Sequence, residues 1–177
     1  MGRARAAIGS AAFLFAAPGV MAGLVPWLLT GWRSTGPPWP LAVAGGALIA
    51  VGAVVVLHAF ARFVTEGRGT PAPVAPTERL VVGGLYRHVR NPMYVAVGAT
   101  IAGQAALLGR PVLLAYAAVF WAVVAAFVRL HEEPVLAARH GEQYAAYRRA
   151  VPGWWPRLTP WRGQAGATSR SDPSSGS

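Results

Sequence analysis

Four long apolar stretches limit what this chain can fold into more than any other feature of its sequence. They cover residues 6–30, 41–61, 92–108 and 112–130, and as helices they would cross, or nearly cross, about 30 Å of bilayer hydrocarbon. Over all 177 residues, 54% of the side chains are hydrophobic, and the mean hydropathy of +0.41 is above that of an ordinary soluble domain. The sequence therefore predicts an all-α, polytopic membrane protein with about four transmembrane helices.

Short glycine and proline motifs predict how these spans pack and connect. Gly45-Gly46 and Gly52 give the second span small surfaces for close helix packing. Residues 109–111, Gly-Arg-Pro, are typical of a tight turn. The third and fourth spans are therefore predicted to form a helical hairpin.

The positions of the arginines predict the orientation in the membrane. All sixteen basic residues are arginine, against six acidic ones, so the formal charge is +10. Arg33 and Arg110 lie in the first and third loops, and the other fourteen lie at the N-terminus, in the loop 62–91, or from Arg129 onward. By the positive-inside rule both termini are cytoplasmic, in a multi-pass protein of a bacterial-type inner or plasma membrane. No nucleic-acid partner is expected, because no soluble scaffold carries a basic stripe.

An amphipathic helix is predicted after the fourth span, over residues 135–150. Leu136, His140, Tyr144 and Tyr147 recur there at steps of three and four residues, which places them on one helix face. Arginines on the other face suit anionic lipid headgroups, so we expect this helix to lie at the membrane interface.

The remaining composition predicts one domain, residues 1–162, followed by a disordered tail. Residues 163–177 are mainly Ser, Gly, Ala and Arg, a composition that cannot bury a core. The chain has no cysteine, which excludes disulfides and thiolate metal sites, and we predict no metal site.

One cationic segment, residues 84–94, stands directly before the third span. Asn91 is a favoured N-cap residue and Pro92 is tolerated at the first helical position. The helix start should therefore present unpaired backbone N–H groups and a positive dipole end, with Arg87 and Arg90 adding full charges. Such a site attracts anions, although ordinary interfacial anchoring accounts for the same residues.

Paired carboxylates directly follow the fourth span at Glu132 and Glu133. The predicted hairpin brings them beside the start of the third span, where carboxylates are costly unless they are solvated or paired. Two interpretations remain open: a pocket for a polar cofactor, or a plain arginine–glutamate cluster at the interface.

The ordered set of motifs on the cytoplasmic side resembles a known family. The motifs are Leu80-Val81, Gly84-x-Tyr86, Arg90-Asn91-Pro92-x-Tyr94, Glu132-Glu133-x-x-Leu136, Gly141-x-x-Tyr144-x-x-Tyr147 and Val151-Pro152. In this order and spacing, over residues 78–156, they resemble the isoprenylcysteine carboxyl methyltransferase family and its phospholipid methyltransferase relatives.

This resemblance implies an integral-membrane enzyme that uses S-adenosylmethionine and binds it without a Rossmann domain. Accordingly, no strand is followed by a glycine-rich dinucleotide fingerprint. By resemblance, Glu132 holds the cofactor from one side and Arg129 is the catalytic candidate that faces the acceptor. The other cofactor-binding residues that the resemblance implies are Leu80, Val81, Tyr86, Asn91, Pro92, Met93 and Tyr94.

The acceptor that the resemblance implies is a lipophilic small molecule, an isoprenoid, lipid or other amphiphile, entering between helices from among the membrane lipids. His88 and His131 are candidates for a general base if the acceptor must lose a proton. The sequence defines neither the acceptor's reacting atom nor the oligomeric state. Two alternatives stay open: an NADPH-dependent membrane reductase of the sterol reductase type, against which the short length and Glu132-Glu133 argue, and a non-catalytic membrane scaffold.

Overall fold

The protein is a bundle of helices in the computed structural model, which describes residues 17–66 and 80–163. Within these two ranges there is no strand. The first part of the predicted first span, residues 67–79 of the predicted long loop and nearly all of the predicted tail lie outside the described residues. The helices are α1 (Ala17–Thr30), α2 (Trp39–Glu66), α3 (Pro92–Leu108), α4 (Val112–Phe127) and α5 (Glu133–Ala150), with a 3₁₀ turn at Gly84–Arg87.

Two helices in the described part are long and apolar enough to cross a membrane. They are Trp39–Arg62 and the continuous helix Val112–Ala150, while Ala17–Thr30 and Pro92–Leu108 are shorter apolar helices. The bounds of α3 match those predicted for the third span, and α2 begins two residues earlier than predicted. The all-helical prediction is thus confirmed for the described residues, whereas a count of four membrane crossings stays a prediction.

The interfacial helix was predicted as a separate element, but helix runs without interruption from α4 into α5. A π turn, Val128–Glu132, joins the two, and α5 begins at Glu133 rather than Val135. The break lies instead at Gly141, whose φ of 47° and ψ of −124° are not helical. Because glycine has no Cβ, it adopts this left-handed backbone at little cost.

The same local arrangement occurs twice: a π turn followed two residues later by a proline. In α1 the π turn is Val20–Leu24 and the proline is Pro26, and after α4 the proline is Pro134. Proline has no N–H to donate four residues back, so a carbonyl in the preceding turn loses its helical partner. The wider turn accommodates this defect, which is why Pro134 does not end the helix.

Side chains from two other helices pair the carbonyls that the π turn of α1 leaves free. Gln104 Nε2 of α3 donates to Ala22 O at 2.6 Å, and Tyr116 Oη of α4 donates to Met21 O at 2.8 Å. Pro26 has no N–H, so it cannot donate to the carbonyl of Ala22 four residues earlier. Polar side chains therefore connect α1 to α3 and α4, as a broken helix in an apolar environment requires.

Glycines bring α2 and α3 into close contact along their lengths. A Cβ on Gly45 would lie 2.5 Å from Gly103 O, and a Cβ on Gly103 would lie 2.8 Å from Gly45 O. A Cβ on Gly52 would overlap Thr100 Oγ1. The packing predicted for Gly45 and Gly52 is confirmed, but Gly46 has no neighbour within 4 Å of such a Cβ, so its predicted role is wrong.

The loops at one end of the bundle contact each other. Thr35 N donates to Leu108 O at 2.9 Å and Arg110 Nε donates to Arg33 O at 2.8 Å. The two loop arginines, Arg33 and Arg110, are thus neighbours, as the predicted topology requires. The opposite end, where α3 begins and α4 continues into α5, holds the polar residues of the motifs.

Candidate functional site

The start of α3 lies at the centre of the polar cluster. Asn91 occupies the predicted N-cap position and Pro92 the first helical position, but the Asn91 side chain makes no capping bond. Its Nδ2 donates instead to Gly153 O at 3.1 Å, and Val95 N donates to Asn91 O at 3.1 Å. The backbone N–H groups of Met93 and Tyr94 have no acceptor among the described residues. They are unpaired at the positive end of the helix, and we call them the open amides.

Tyr94 and Glu132 meet across the hairpin. The Tyr94 hydroxyl donates to Glu132 Oε2 at 3.3 Å, although the residues are 38 positions apart. Glu132 lies just beyond the apolar stretch that ends at Leu130; burial raises the pKa of its carboxyl group, and the Tyr94 hydrogen bond opposes that rise. The predicted meeting of the third span's start with the paired glutamates is confirmed. A half-buried carboxylate with one hydroxyl partner is suited to bind a cationic or hydroxylated ligand.

Glu133, the neighbouring carboxylate, is fully engaged within the protein. Its Oε1 lies 2.6 Å from Arg90 Nη1 and its Oε2 lies 3.0 Å from Arg148 Nη2. The Arg90 and Glu133 side chains are only 14% and 13% exposed. Consecutive helical residues point about 100° apart, so one glutamate faces Tyr94 and the other faces Arg90. The adjacent carboxylates thus have different surroundings.

Arg90 connects three parts of the site. Besides its ion pair with Glu133, its Nη1 donates to Tyr144 Oη at 3.1 Å and its Nε donates to Val151 O at 3.0 Å. Its backbone N–H donates to Pro152 O at 2.9 Å. The planar guanidinium suits such divergent acceptors, so Arg90 holds the start of α3, the start of α5 and the chain after α5 in one arrangement.

The chain after α5, residues 151–163, forms what we call the C-terminal strap. It lies along the segment before α3: Asn91 N donates to Gly153 O at 3.2 Å and Arg157 N donates to His88 O at 3.0 Å. Farther along, Trp161 N donates to Arg87 O at 3.0 Å. The strap is thus bonded at both ends to residues 87–91.

The two histidines considered as general bases differ in their surroundings. His88 Nδ1 lies 2.8 Å from Arg157 O, which gives this ring a structural partner in the strap. His131 is exposed and packs against Phe127 with 5.3 Å between ring centroids. Neither ring contacts Glu132 or Tyr94 through a hydrogen bond.

The remaining predicted cofactor residues pack on the side of α3 that faces α2 and α5. Val81 and Tyr86 are buried with Ala59 of α2, and Met93 packs against this group. Leu80 packs instead against a cluster on α5 that includes Tyr147, whose hydroxyl donates to Tyr86 O at 2.7 Å. All eight predicted cofactor residues therefore lie at one end of the bundle.

Arg129, the predicted catalytic residue, does not join this cluster. It lies in the π turn, is exposed, and forms no hydrogen bond or ion pair with any residue in the described ranges. Val128, its neighbour in the same turn, is 3% exposed and takes the inward position. The guanidinium of Arg129 is consequently available to a ligand beside the bundle.

An arginine–glutamate cluster was one of the two interpretations of the sequence, and the structure does pair Arg90 with Glu133. The sequence did not predict the bond of Arg90 to Tyr144, or Gly153, where a Cβ would lie 3.2 Å from Arg90 Nη2. The helical angle between adjacent residues is the signal that separates Glu132 from Glu133. The contacts of the strap with residues 87–91 have no signal of this kind in the sequence.

An apolar cavity of about 390 Å³ lies beside the polar cluster, between α1, α2 and α3. Its walls come from residues 18–23 of α1, residues 53–60 of α2, and Val97 and Thr100 of α3. The Thr100 hydroxyl, a polar group in this wall, donates to Ala96 O at 2.9 Å. Val97 follows Tyr94 by three residues, so the cavity begins one helical turn from the polar cluster.

The helices are apolar, and a polar cluster lies at one end of the bundle. This combination is typical of a membrane-embedded protein with a candidate ligand site. Its family follows from comparison with known proteins: the sequence model of the phospholipid methyltransferase family matches residues 41–143, more than half of the chain. The chain therefore belongs to the phospholipid methyltransferase family, which confirms the resemblance found from the motifs. No curated protein and no solved structure matched in the same comparisons.

Membership in this family indicates a methyltransferase that acts on a lipid-like substrate. The two candidate membrane-spanning helices and the membrane association of the family both fit a membrane protein. Neither finding favours a nicotinamide-dependent reductase.

Proposed function

We propose that this protein transfers the methyl group of S-adenosylmethionine to a lipophilic acceptor at the cytoplasmic face of a membrane. The observation that carries the proposal is the pairing of Tyr94 with Glu132 beside the open amides of α3. An anion-binding helix start and a carboxylate with spare acceptor capacity stand next to each other there. A ligand that carries both a carboxylate and a cationic or hydroxylated group would use both.

S-adenosylmethionine fits this donor set by its chemistry. The open amides of Met93 and Tyr94 and the dipole of α3 suit its carboxylate. The Glu132 carboxylate suits its amine or ribose hydroxyls, and a cationic ligand would favour the charged form of this half-buried group. The other lining residues in this proposal are Leu80, Val81, Tyr86, Asn91 and Pro92.

When bound, S-adenosylmethionine supplies a methyl carbon on a sulfonium, which an acceptor lone pair attacks in line while the electrons of the breaking carbon–sulfur bond return to sulfur. The chain's residues have to orient the two reactants and exclude water, which can supply most of the rate enhancement. Tyr94 fixes the Glu132 carboxylate, and Arg90 with Glu133 fixes the start of α3. No side chain in this account has to form a covalent bond.

The apolar cavity is the place we assign to the acceptor's hydrocarbon part. Its volume of about 390 Å³ falls among the roughly 300–1,000 Å³ of small-molecule pockets, and its walls are almost wholly apolar. The exposed guanidinium of Arg129 is the group we assign to the acceptor's polar end. The acceptor would reach the cavity sideways, between helices, from the lipid.

The proposed arrangement in the membrane is the one predicted from the arginines. Four helices cross, both termini are cytoplasmic, and residues 1–162 form one domain. The contact between the loops of Arg33 and Arg110 supports an alternating topology, since it brings the two loops predicted to be outside to the same end.

A methylation assay with the purified protein in detergent or liposomes tests this function. S-adenosylmethionine labelled on its methyl group is incubated with the protein and a bacterial lipid extract, and NADPH binding is measured in parallel. Label in the organic phase that depends on protein and extract is the expected result. Binding of NADPH without binding of S-adenosylmethionine would overturn the proposal in favour of a reductase, and binding of neither would favour a scaffold.

A further inference from the structure

We propose that the C-terminal strap is a membrane-inserting element: Trp154 is packed within the bundle below the membrane surface, and Trp155 and Leu158 enter the lipid of the predicted cytoplasmic leaflet. The partner of this surface is a bilayer with anionic lipids. The depth of the strap, the exposed side chains on it and the charges around it support this inference independently.

The depth follows from the contact of Trp154 with α4. The ring of Trp154 lies 5.2 Å from the ring of Trp121, with 73° between their planes. Trp121 precedes Leu130, the end of the apolar stretch, by nine residues, which is about 14 Å along a helix. The Trp154 side chain therefore reaches into the level of the apolar helices, while the backbone of the strap lies beside residues 87–91, directly before α3.

Helix α3 also places Trp121 inside the apolar region. A Cβ on Gly98 would lie 2.7 Å from Trp121 Nε1, so these two residues are at one level. Gly98 follows Pro92 by six residues, or about 9 Å. Both helices thus place the Trp121–Trp154 pair well inside the region that begins at Pro92.

Two large apolar side chains of the strap point away from the bundle. Trp155 is 83% exposed and Leu158 is 98% exposed, whereas Val151, at the start of the strap, is 1% exposed. The backbone bonds of Gly153, Arg157 and Trp161 to residues 87–91 hold the strap in this orientation. With the strap held in this way, the described part of the chain leaves Trp155 and Leu158 uncovered, and lipid is the apolar phase that we assign to them.

Arginines near the strap carry the charge that an anionic surface requires. Arg87, Arg149 and Arg162 are exposed and form no ion pair within the described ranges. Arginines close to an anionic leaflet are attracted to its headgroups. Tryptophan beside arginine is the combination typical of residues at the lipid headgroups.

Insertion of the strap would also hold the candidate cofactor site, a consequence that rests on the proposed function. Residues 87–91, to which the strap is bonded, lead directly into the open amides at the start of α3. Lipid contact at Trp155 and Leu158 would therefore stabilise the arrangement of these amides.

Spin labels on single cysteines test the insertion directly, because the chain has no native cysteine to remove. Labels are placed in the variants Trp155→Cys and Leu158→Cys, in liposomes that contain anionic lipid. Leu130→Cys, at an exposed position ending the apolar stretch, is the lipid reference, and Glu142→Cys, at an exposed polar position of α5, is the water reference. Collision rates with oxygen and with a water-soluble nickel chelate are measured at each site.

We expect the ratio of oxygen to nickel collisions at positions 155 and 158 to exceed that at position 142 several-fold and to approach that at position 130. Ratios equal to that at position 142 would place the strap in water and overturn the proposal. Labels shielded from both reagents would overturn it as well, in favour of a protein contact. The readout needs no cofactor, so it stands whether or not the protein binds S-adenosylmethionine.

Discussion

Arg90 and Glu133, 43 residues apart in the chain, form an ion pair with 2.6 Å between Nη1 and Oε1. This pair engages the second of two adjacent glutamates and leaves the first, Glu132, with Tyr94 as its hydrogen-bond partner. Glu133 therefore joins elements of the site to each other, and Glu132 is the carboxylate to which we assign the ligand under the proposed function.

Replacing Glu133 should weaken the fold. The change Glu133→Gln leaves the guanidinium of Arg90 nearly buried without a counter-charge, and breaking a buried pair in this way costs about 3 kcal/mol. We expect a clear fall in the midpoint of thermal unfolding in detergent. The matched change Glu142→Gln, on the exposed face of α5, should leave the midpoint unchanged. Equal midpoints for both variants would mean that the pair does not stabilise the fold.

Adding one methyl group at Gly45 should disturb the contact between α2 and α3. An alanine Cβ there would lie 2.5 Å from Gly103 O, and overpacking of this kind costs about 1–3 kcal/mol. At Gly46 nothing lies within 4 Å, so Gly46→Ala should be neutral or stabilise by up to about 1 kcal/mol because alanine favours helix. Unfolding of the two variants in a denaturing detergent gives the comparison. A similar loss in both would contradict the glycine contact.

The bond between Gln104 and Ala22 predicts a coupling with Pro26. Gln104→Leu leaves Ala22 O unpaired and should lower the free energy of unfolding by about 0.5–2 kcal/mol. The side-chain carbonyl oxygen of Gln104 has no partner in the described part of the chain, so its removal adds no further loss. Pro26→Ala supplies a backbone N–H that can reach Ala22 O. In that background Gln104→Leu should cost less, as a double-mutant cycle of unfolding free energies would reveal. Additive costs would show that the two groups do not serve the same carbonyl.

Arg129 provides a prediction about the acceptor alone. Because its guanidinium is exposed and outside the Tyr94–Glu132 pair, Arg129→Ala should leave binding of S-adenosylmethionine unchanged and lower methyl transfer to the lipid extract at least tenfold. Arg139→Ala, an exposed change on α5, is the control and should retain activity. Full activity in Arg129→Ala would remove this residue from the proposed acceptor site.

Much of the helical layout could be predicted because hydrophobic length and turn residues act locally. Pro92–Leu108 has the predicted bounds, and the glycines at 45 and 52 pack as predicted. The run of helix through Pro134 was not predicted, because a proline normally ends a helix unless a π turn precedes it. In α1 the carbonyl freed by such a turn is paired by Gln104 of another helix, a contact that no local pattern encodes.

The sequence predicted which residues would lie at this end of the bundle, but not most of the contacts between them. The hairpin alone was enough to bring Glu132 to the start of α3. Asn91 occupies the predicted position, yet its side chain bonds Gly153 of the strap rather than its own helix. That bond joins residues 62 positions apart, and short-range sequence signals do not reach so far.

Calorimetric titration of S-adenosylmethionine into the detergent-purified protein tests whether Glu132 holds the cofactor, with Glu132→Gln compared with Glu142→Gln. We expect binding to the unmodified protein and to Glu142→Gln, and at least a tenfold loss of affinity in Glu132→Gln with an unchanged midpoint of thermal unfolding. Equal affinity in all three proteins would contradict it, because the ligand would then bind away from the Tyr94–Glu132 pair.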